Sequence, residues 1–282
     1  MKRFVCVCAL LLVLVLSACQ EQQQQSVIQI PQPVATLRPT TLHTLPEPTA
    51  ANQPSDTGWQ AVGHGIEMRR MRVALEGHVT LANISVVRFD PNLVRFSVGY
   101  DFQQPRSLNE WKQDRSALAV INGGFFAADY QSTALVVSNG LPSGQSYVGR
   151  GGMFAVAGDG SLVLRSLADY PYSEEEPLSE ALQSWPMLVK NSGQPTYSDE
   201  EDTERDRRSV VARDRAGRVL FFVCSSNSFS LPTLSAWLAA SDLEIDSALN
   251  LDGGSSTGLH LLDQLRVDSY GKLPLVLLAH QR

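Results

Sequence analysis

The spacing of apolar and polar positions divides the chain into many short strands and a few helices. Short apolar runs bounded by Gly, Pro, Asn and Asp predict strands. Residues 79–89 and 93–98 flank Asp90-Pro91-Asn92 and predict a hairpin. Residues 154–157 and 162–164 surround Gly158-Asp159-Gly160 and predict a second. Residues 210–212 and 219–223, around Asp214-Arg215-Ala216-Gly217, predict a third. Ser107-Leu108-Asn109-Glu110 has the spacing of a capping box and predicts a short helix over 108–115. That helix feeds a strand ending at Asn122. Residues 231–240 carry Pro232 early and Leu234, Trp237 and Leu238 at helical spacing, which predicts a helix packed on a sheet. It leads into a strand ending at Asp252, and residues 275–279 predict a closing strand. No repeat of solenoid or propeller length recurs. The class these elements define is α+β, a mixed, largely antiparallel curved sheet with a few packed helices.

The first 57 residues follow a different pattern. Lys2 and Arg3 precede an apolar stretch over 4–16, too short to span a bilayer comfortably and followed by small residues, as in an export signal. Leu16-Ser17-Ala18-Cys19 resembles a bacterial lipobox, so residues 1–18 are expected to be a lipoprotein signal peptide and Cys19 the lipidated first residue. Gln20 in second place, where Asp is absent, fits outer-membrane sorting in a cell with two membranes. Residues 19–57, rich in Gln, Pro and Thr, are expected to be a disordered tether. The globular domain is expected over 58–282. Of the four cysteines, Cys6 and Cys8 fall in the leader and Cys19 is the anchor. Cys224, in the apolar run 220–224, then has no disulfide partner and reads as a packed core thiol.

Composition narrows the function. With 43% hydrophobic and 18% charged residues the chain can bury a core without metal or disulfide support. Its formal charge of -6 becomes more negative once Lys2 and Arg3 leave with the signal. An acidic chain of this kind argues against nucleic acid as a partner, because phosphate backbones require basic surface. No phosphate-binding P-loop, dinucleotide fingerprint or zinc-spaced His pair occurs, so no cofactor and no metal are expected. Of the scattered histidines, His260 is the one near a candidate loop.

Two segments carry the candidate chemistry, residues 119–126 (Ala-Val-Ile-Asn-Gly-Gly-Phe-Phe) and 249–256 (Leu-Asn-Leu-Asp-Gly-Gly-Ser-Ser). Each is an apolar run ending in a polar residue, Asn122 or Asp252, followed by two glycines. Glycine stops the strand and leaves backbone that a ligand can approach, since it has no Cβ. The shared layout suggests one pocket. Asp252 is a candidate general base, nucleophile or charge stabiliser; the alternative is a turn-capping Asp. Asn122 offers donor and acceptor to a sugar hydroxyl or a phosphate oxygen, or again caps a turn. Phe125 and Phe126 suit either a sugar face or the core. Arg207 and Arg208 open a strand, where a guanidinium fork can meet phosphate; for Arg207 the alternative is a salt bridge with the acidic run 199–206. Residues 254–258 match G-x-S-x-G, but only 24 residues follow Gly258, too few for the βα units behind a nucleophile elbow.

These segments together resemble the phosphodiester glycosidase family. The matching blocks, in order, are 119–126, 185–193, Arg208-Ser209 before a strand, the helix near 231–240, and 250–258, so the resemblance covers about residues 60–282. It implies a hydrolase that cleaves the glycosyl bond of a sugar-1-phosphodiester. Arg208 would then hold the phosphate. Asp252 would stabilise the anomeric centre, activate water or attack C1. Asn122, Gly123, Gly124, Gly253, Gly254 and Ser255 would orient phosphate and sugar. Glu110, Asp129 and Asp263 are candidates for a second carboxylate. The expected setting is the extracytoplasmic face of a bacterial membrane, with a glycan or sugar-phosphate as substrate. A non-catalytic glycan-binding lipoprotein with the same pocket is the alternative.

Overall fold

The computed structural model describes residues 55–75, 81–190 and 192–282. The signal 1–18, the lipidation site Cys19 and nearly all of the tether 19–57 lie outside the described residues. Within them, sheet dominates and two helices are packed against it, α1 (Leu108–Asp114) and α2 (Leu231–Ala240). Three sheets are present instead of one curved sheet. Every ladder is antiparallel, so the expected mixture of directions is not found among the described residues.

The eight-stranded sheet runs in the order Gln60–Gly63, Ile66–Val73, Ala82–Phe89, Val219–Phe229, Asp206–Asp214, Ile245–Asn250, Met187–Lys190, Gln194–Pro195. A five-stranded sheet has the order Leu265–Val267, Leu259–Leu261, Ala119–Asn122, Leu275–Gln281, Val94–Tyr100. A second five-stranded sheet has Gly152–Ala157 and Leu178–Ser184 near its centre.

The central strands are buried on both faces, which is why they read as continuous apolar runs. In Val219–Phe229 the residues Val219, Phe221 and Val223 enter the core between the sheets, while Leu220, Phe222 and Cys224 face α2. Cys224 is a buried free thiol, and burial pushes its pKa up, as a packed core residue requires. Phe221 meets Phe89 edge-on with centroids 4.9 Å apart. A side chain buried to this degree contributes on the order of 1.5–3 kcal/mol.

Both predicted helices form, for the expected reasons. Ser107 Oγ accepts from Glu110 N, and the Glu110 carboxylate accepts from Ser107 N at 2.7 Å, closing the capping box. Leu108 and Trp111 bury one face of α1 against the outer side of the Ala119–Asn122 sheet. Ser230 caps α2, and Leu231, Leu234 and Leu238 pack on the eight-stranded sheet.

The hairpins at 154–164 and 210–223 form as Gly152–Ala157 with Leu162–Ser166, and Asp206–Asp214 with Val219–Phe229. The hairpin predicted across Asp90-Pro91-Asn92 does not. Ala82–Phe89 pairs with Ile66–Val73 and Val219–Phe229, whereas Val94–Tyr100 pairs with Leu275–Gln281 in a different sheet. The turn carries the chain from one layer to the other. Phe89 and Phe96 therefore meet edge-on across the core, centroids 5.7 Å apart, and are not ladder neighbours. Turn chemistry fixes a change of direction, and burial decides the partner.

Candidate active site

The strand Ala119–Asn122 ends beside the loop that follows Ile245–Asn250. That strand stops at Asn250, two residues short of Asp252. Leu251 N still donates to Ser209 O at 2.9 Å, so the ladder geometry persists one residue further. The two diglycine corners are in direct contact. Asp252 N donates to Gly123 O at 3.0 Å, and Asn122 Nδ2 donates to Asp252 O at 2.7 Å. Asn122 Oδ1 accepts from Ser209 Oγ at 2.6 Å and from Gly258 N at 3.1 Å. Asn122, only 1% exposed, thus ties its own strand to the Asp206–Asp214 strand of the eight-stranded sheet and to both ends of the Asp252 loop.

This geometry changes the reading of the first corner. The Asn122 amide is engaged by the protein and offers no free group to a ligand. A Cβ on Gly123 would stand 2.5 Å from Leu275 Cγ, and one on Gly124 would stand 2.5 Å from Gln183 O. The expected open backbone at Gly123 and Gly124 is instead filled by neighbouring chain, so these glycines serve packing.

The second corner is different. Asp252 is half-buried, and Gly253 N donates to its Oδ1 at 3.0 Å. Burial raises the Asp252 pKa, hydrogen bonds from Ser256 and Gly253 oppose that, and the neighbouring Asp206 charge raises it further. Gly254 has φ +58, and a Cβ there would stand 2.7 Å from Asp206 Oδ2. Left-handed backbone and the carboxylate both select glycine. Ser255 is exposed on the short 3-10 turn Gly254–Ser256, and its carbonyl accepts from Tyr270 N at 2.8 Å. The loop runs strand, 3-10 turn, strand, and so lacks the strand-to-helix turn of a nucleophile elbow.

Arg208 approaches this corner from the neighbouring strand. Its Nη1 lies 3.7 Å from where a Cβ on Gly253 would be. Its Nε donates to Phe229 O at 3.0 Å and its Nη2 to Glu204 O at 2.6 Å, which fixes the guanidinium plane. The side chain is 8% exposed; burial lowers its pKa, and the nearby charges of Asp206, Asp202 and Glu204 oppose that. A guanidinium remains charged through any such shift.

Arg207 points elsewhere. Its Nη2 donates to Asp268 O at 2.9 Å and its Cζ lies 4.3 Å from the centroid of the Tyr270 ring. Its Nε and Nη1 are buried without a hydrogen-bond partner among the described residues. The ion pair with the acidic run does not form, because Asp199, Glu200, Glu201 and Glu204 stand exposed in the preceding loop.

The three proposed second carboxylates are occupied elsewhere or remote. Glu110 caps α1, Asp129 accepts from Gln131 N at 3.1 Å, and Asp263 sits in the turn between Leu259–Leu261 and Leu265–Val267. His260 is buried against Asp268 at 2.9 Å, and burial lowers its pKa. Phe126 stacks on Tyr130 with centroids 5.8 Å apart and packs against the α1 layer, and Phe125 is half-buried. In the sequence Ser209 and Gly258 stand only as members of family-matching blocks and Asp206 only as the end of an acidic run, with no site role for any of the three; the position of Ser209 directly after Arg208 is the one local signal. Among the described residues no group of three metal-ligating side chains occurs.

Comparison with known proteins agrees with this architecture. The family model for phosphodiester glycosidase matches residues 115–273, and the chain belongs to that family. Its fold is similar to the catalytic domain of zebrafish N-acetylglucosamine-1-phosphodiester alpha-N-acetylglucosaminidase, a structure auto-inhibited by its pro-peptide. The two share a TM-score of 0.62 at 17% identity, over 82% of this chain and 85% of that one. A hypothetical protein from Synechocystis is similar at TM-score 0.58 and 16% identity, over 77% of this chain and 62% of that one. No curated protein sequence matches the chain.

Proposed function

We propose that this protein is an envelope hydrolase that cleaves the glycosyl bond of a sugar-1-phosphodiester in cell-wall, exopolysaccharide or other extracellular glycans. The observation that carries the reading is the contact of the two diglycine corners, which sets the Asp252–Gly253 corner next to Arg208, whose Nη1 lies 3.7 Å from where a Cβ on Gly253 would stand.

A phosphate monoester is already a good leaving group, so the site has little need to protonate it. The C1–O bond breaks and its electron pair stays on the phosphate oxygen. Arg208, already oriented by two backbone carbonyls, offsets the negative charge that develops there. Water adds to C1, and Asp252 accepts its proton. Desolvation makes Asp252 a stronger base than an exposed carboxylate. Gly253, Gly254 and Ser255 bring backbone close to the sugar phosphate, while Asn122, Gly123 and Gly124 hold the loop in place.

The proposed setting is the extracytoplasmic face of a bacterial membrane, the outer membrane where there are two, with the domain anchored through lipid on Cys19. Cys19→Ser should release the protein from the membrane fraction. For the chemistry, Asp252→Asn should abolish release of free sugar from a sugar-1-phosphodiester while leaving the fold intact. Full activity of that variant would remove Asp252 from the reaction. Retention of a labelled glycan without turnover by the wild type would favour a binding protein.

A further inference from the structure

We propose that Asp206 is the second carboxylate of the site, its free oxygen facing the anomeric centre while Asp252 takes the proton of water. This rests on the glycosidase reading above, and it follows from where Asp206 sits. It opens the strand Asp206–Asp214, two residues before Arg208, at a register irregularity that separates it from the regular ladder. Its Oδ1 accepts from Arg207 N at 2.8 Å, which fixes the carboxylate rotamer. Its Oδ2 has no hydrogen-bond donor among the described residues and points to the face of Gly254 that a side chain would otherwise fill.

The groups facing this corner are two carboxylates, Asp252 and Asp206, and one guanidinium, Arg208; Asp202 and Glu204 act on Arg208 from the adjoining loop. Asp206 is in no ion pair of 4.0 Å or less among the described residues, so its charge is not cancelled by direct contact. Both carboxylates are half-buried, but Asp252 takes hydrogen bonds from Gly253 N and Ser256 inside its own loop, whereas Asp206 keeps one oxygen without a donor. The free oxygen is the one placed to face developing positive charge, which leaves proton transfer to Asp252. As the bond from C1 to the phosphate oxygen breaks, positive charge grows at C1, and the Asp206 charge offsets it. When water adds, its proton passes to Asp252 and Asp206 is unchanged. The Asp206 charge also keeps Asp252 basic, because like charges disfavour a second ionisation.

The test is Asp206→Asn in the full chain, which keeps an acceptor for Arg207 N. On a sugar-1-phosphodiester, kcat should fall at least about tenfold with KM little changed. The acidic limb of the kcat/KM profile should move to lower pH. Independently of turnover, NMR titration of the Asp252 side-chain carboxyl should show a lower pKa in the variant. Unchanged kcat, or an Asp252 titration identical to wild type, overturns the proposal. Wild type inactive on every sugar-1-phosphodiester, with the Asp252 titration still shifted, would overturn the substrate reading and leave the carboxylate pair standing. Inactivity without a shift would overturn both.

Discussion

Asn122 donates its side-chain amide to the backbone carbonyl of Asp252 at 2.7 Å, across two sheets and 130 residues of sequence. The same side chain accepts from Ser209 and Gly258. One buried amide therefore sets where the candidate catalytic loop lies relative to the strand that carries Arg208.

Removing that amide should cost stability as well as activity. Asn122→Ala strands the Asp252 carbonyl, the Gly258 N–H and the Ser209 hydroxyl in the interior, at about 1–3 kcal/mol for each group left unmet. A loss of about 2 kcal/mol or more is expected by urea denaturation. Asn122→Asp keeps an acceptor for Ser209 and Gly258 but places a carboxylate against the Asp252 carbonyl, and should also destabilise. If either variant unfolds at the wild-type midpoint, Asn122 is not the tie between the sheets.

Gly124→Ala and Gly254→Ala should fail in different ways. The first puts a Cβ against the backbone carbonyl of Gln183, which cannot yield easily, and should lower stability by about 1–3 kcal/mol. The second adds left-handed strain of about 1–2 kcal/mol and displaces the Asp206 carboxylate, so activity should fall further than stability alone explains. Paired thermal melts and initial rates separate the two effects.

Arg208→Lys keeps a positive charge but not the planar fork that two carbonyls orient. In this variant kcat/KM should fall by about 100-fold or more, with little recovery relative to Arg208→Ala. Near wild-type turnover in the lysine variant would show that charge alone suffices.

The raised pKa of Asp252 has a signed effect on stability. A carboxylate that is harder to ionise when folded favours the native state below its unfolded pKa. That contribution is lost as pH rises through the folded value. Relative to Asp252→Asn, which does not titrate, the wild type should lose stability as pH climbs from below the ordinary aspartate value of 3.8 through its raised folded pKa. Denaturation midpoints of both proteins over that window measure the difference. A gap that is constant or narrows with the opposite sign would mean that Asp252 is not desolvated.

Much of this fold is legible in the sequence where local signals decide it. The Ser107–Glu110 box and the early Pro232 mark the starts of their helices by local chemistry. The turns at Gly158-Asp159-Gly160 and 214–217 join strands that do pair. Asp90-Pro91-Asn92 looks the same locally, yet its flanking strands enter different sheets because Phe89 and Phe96 face each other across the core. No local pattern encodes that choice. The two Gly-Gly motifs point to one site, but their division of labour depends on neighbours distant in sequence. Leu275 and Gln183 fill the first corner, and Asp206 borders the second. Asp206 itself is hidden at the end of an acidic run whose other members are solvated loop. Only the strand pairing turns this last carboxylate toward Gly254.

The most direct measurement is the fate of solvent oxygen. A synthetic sugar-1-phosphodiester is hydrolysed by the wild-type protein in heavy-oxygen water, and the products are weighed by mass spectrometry. Attack at C1 predicts the heavy oxygen in the released sugar and none in the phosphate monoester. Heavy oxygen in the phosphate would mean cleavage at phosphorus, and the glycosidic chemistry assigned to Asp252 and Arg208 would be contradicted.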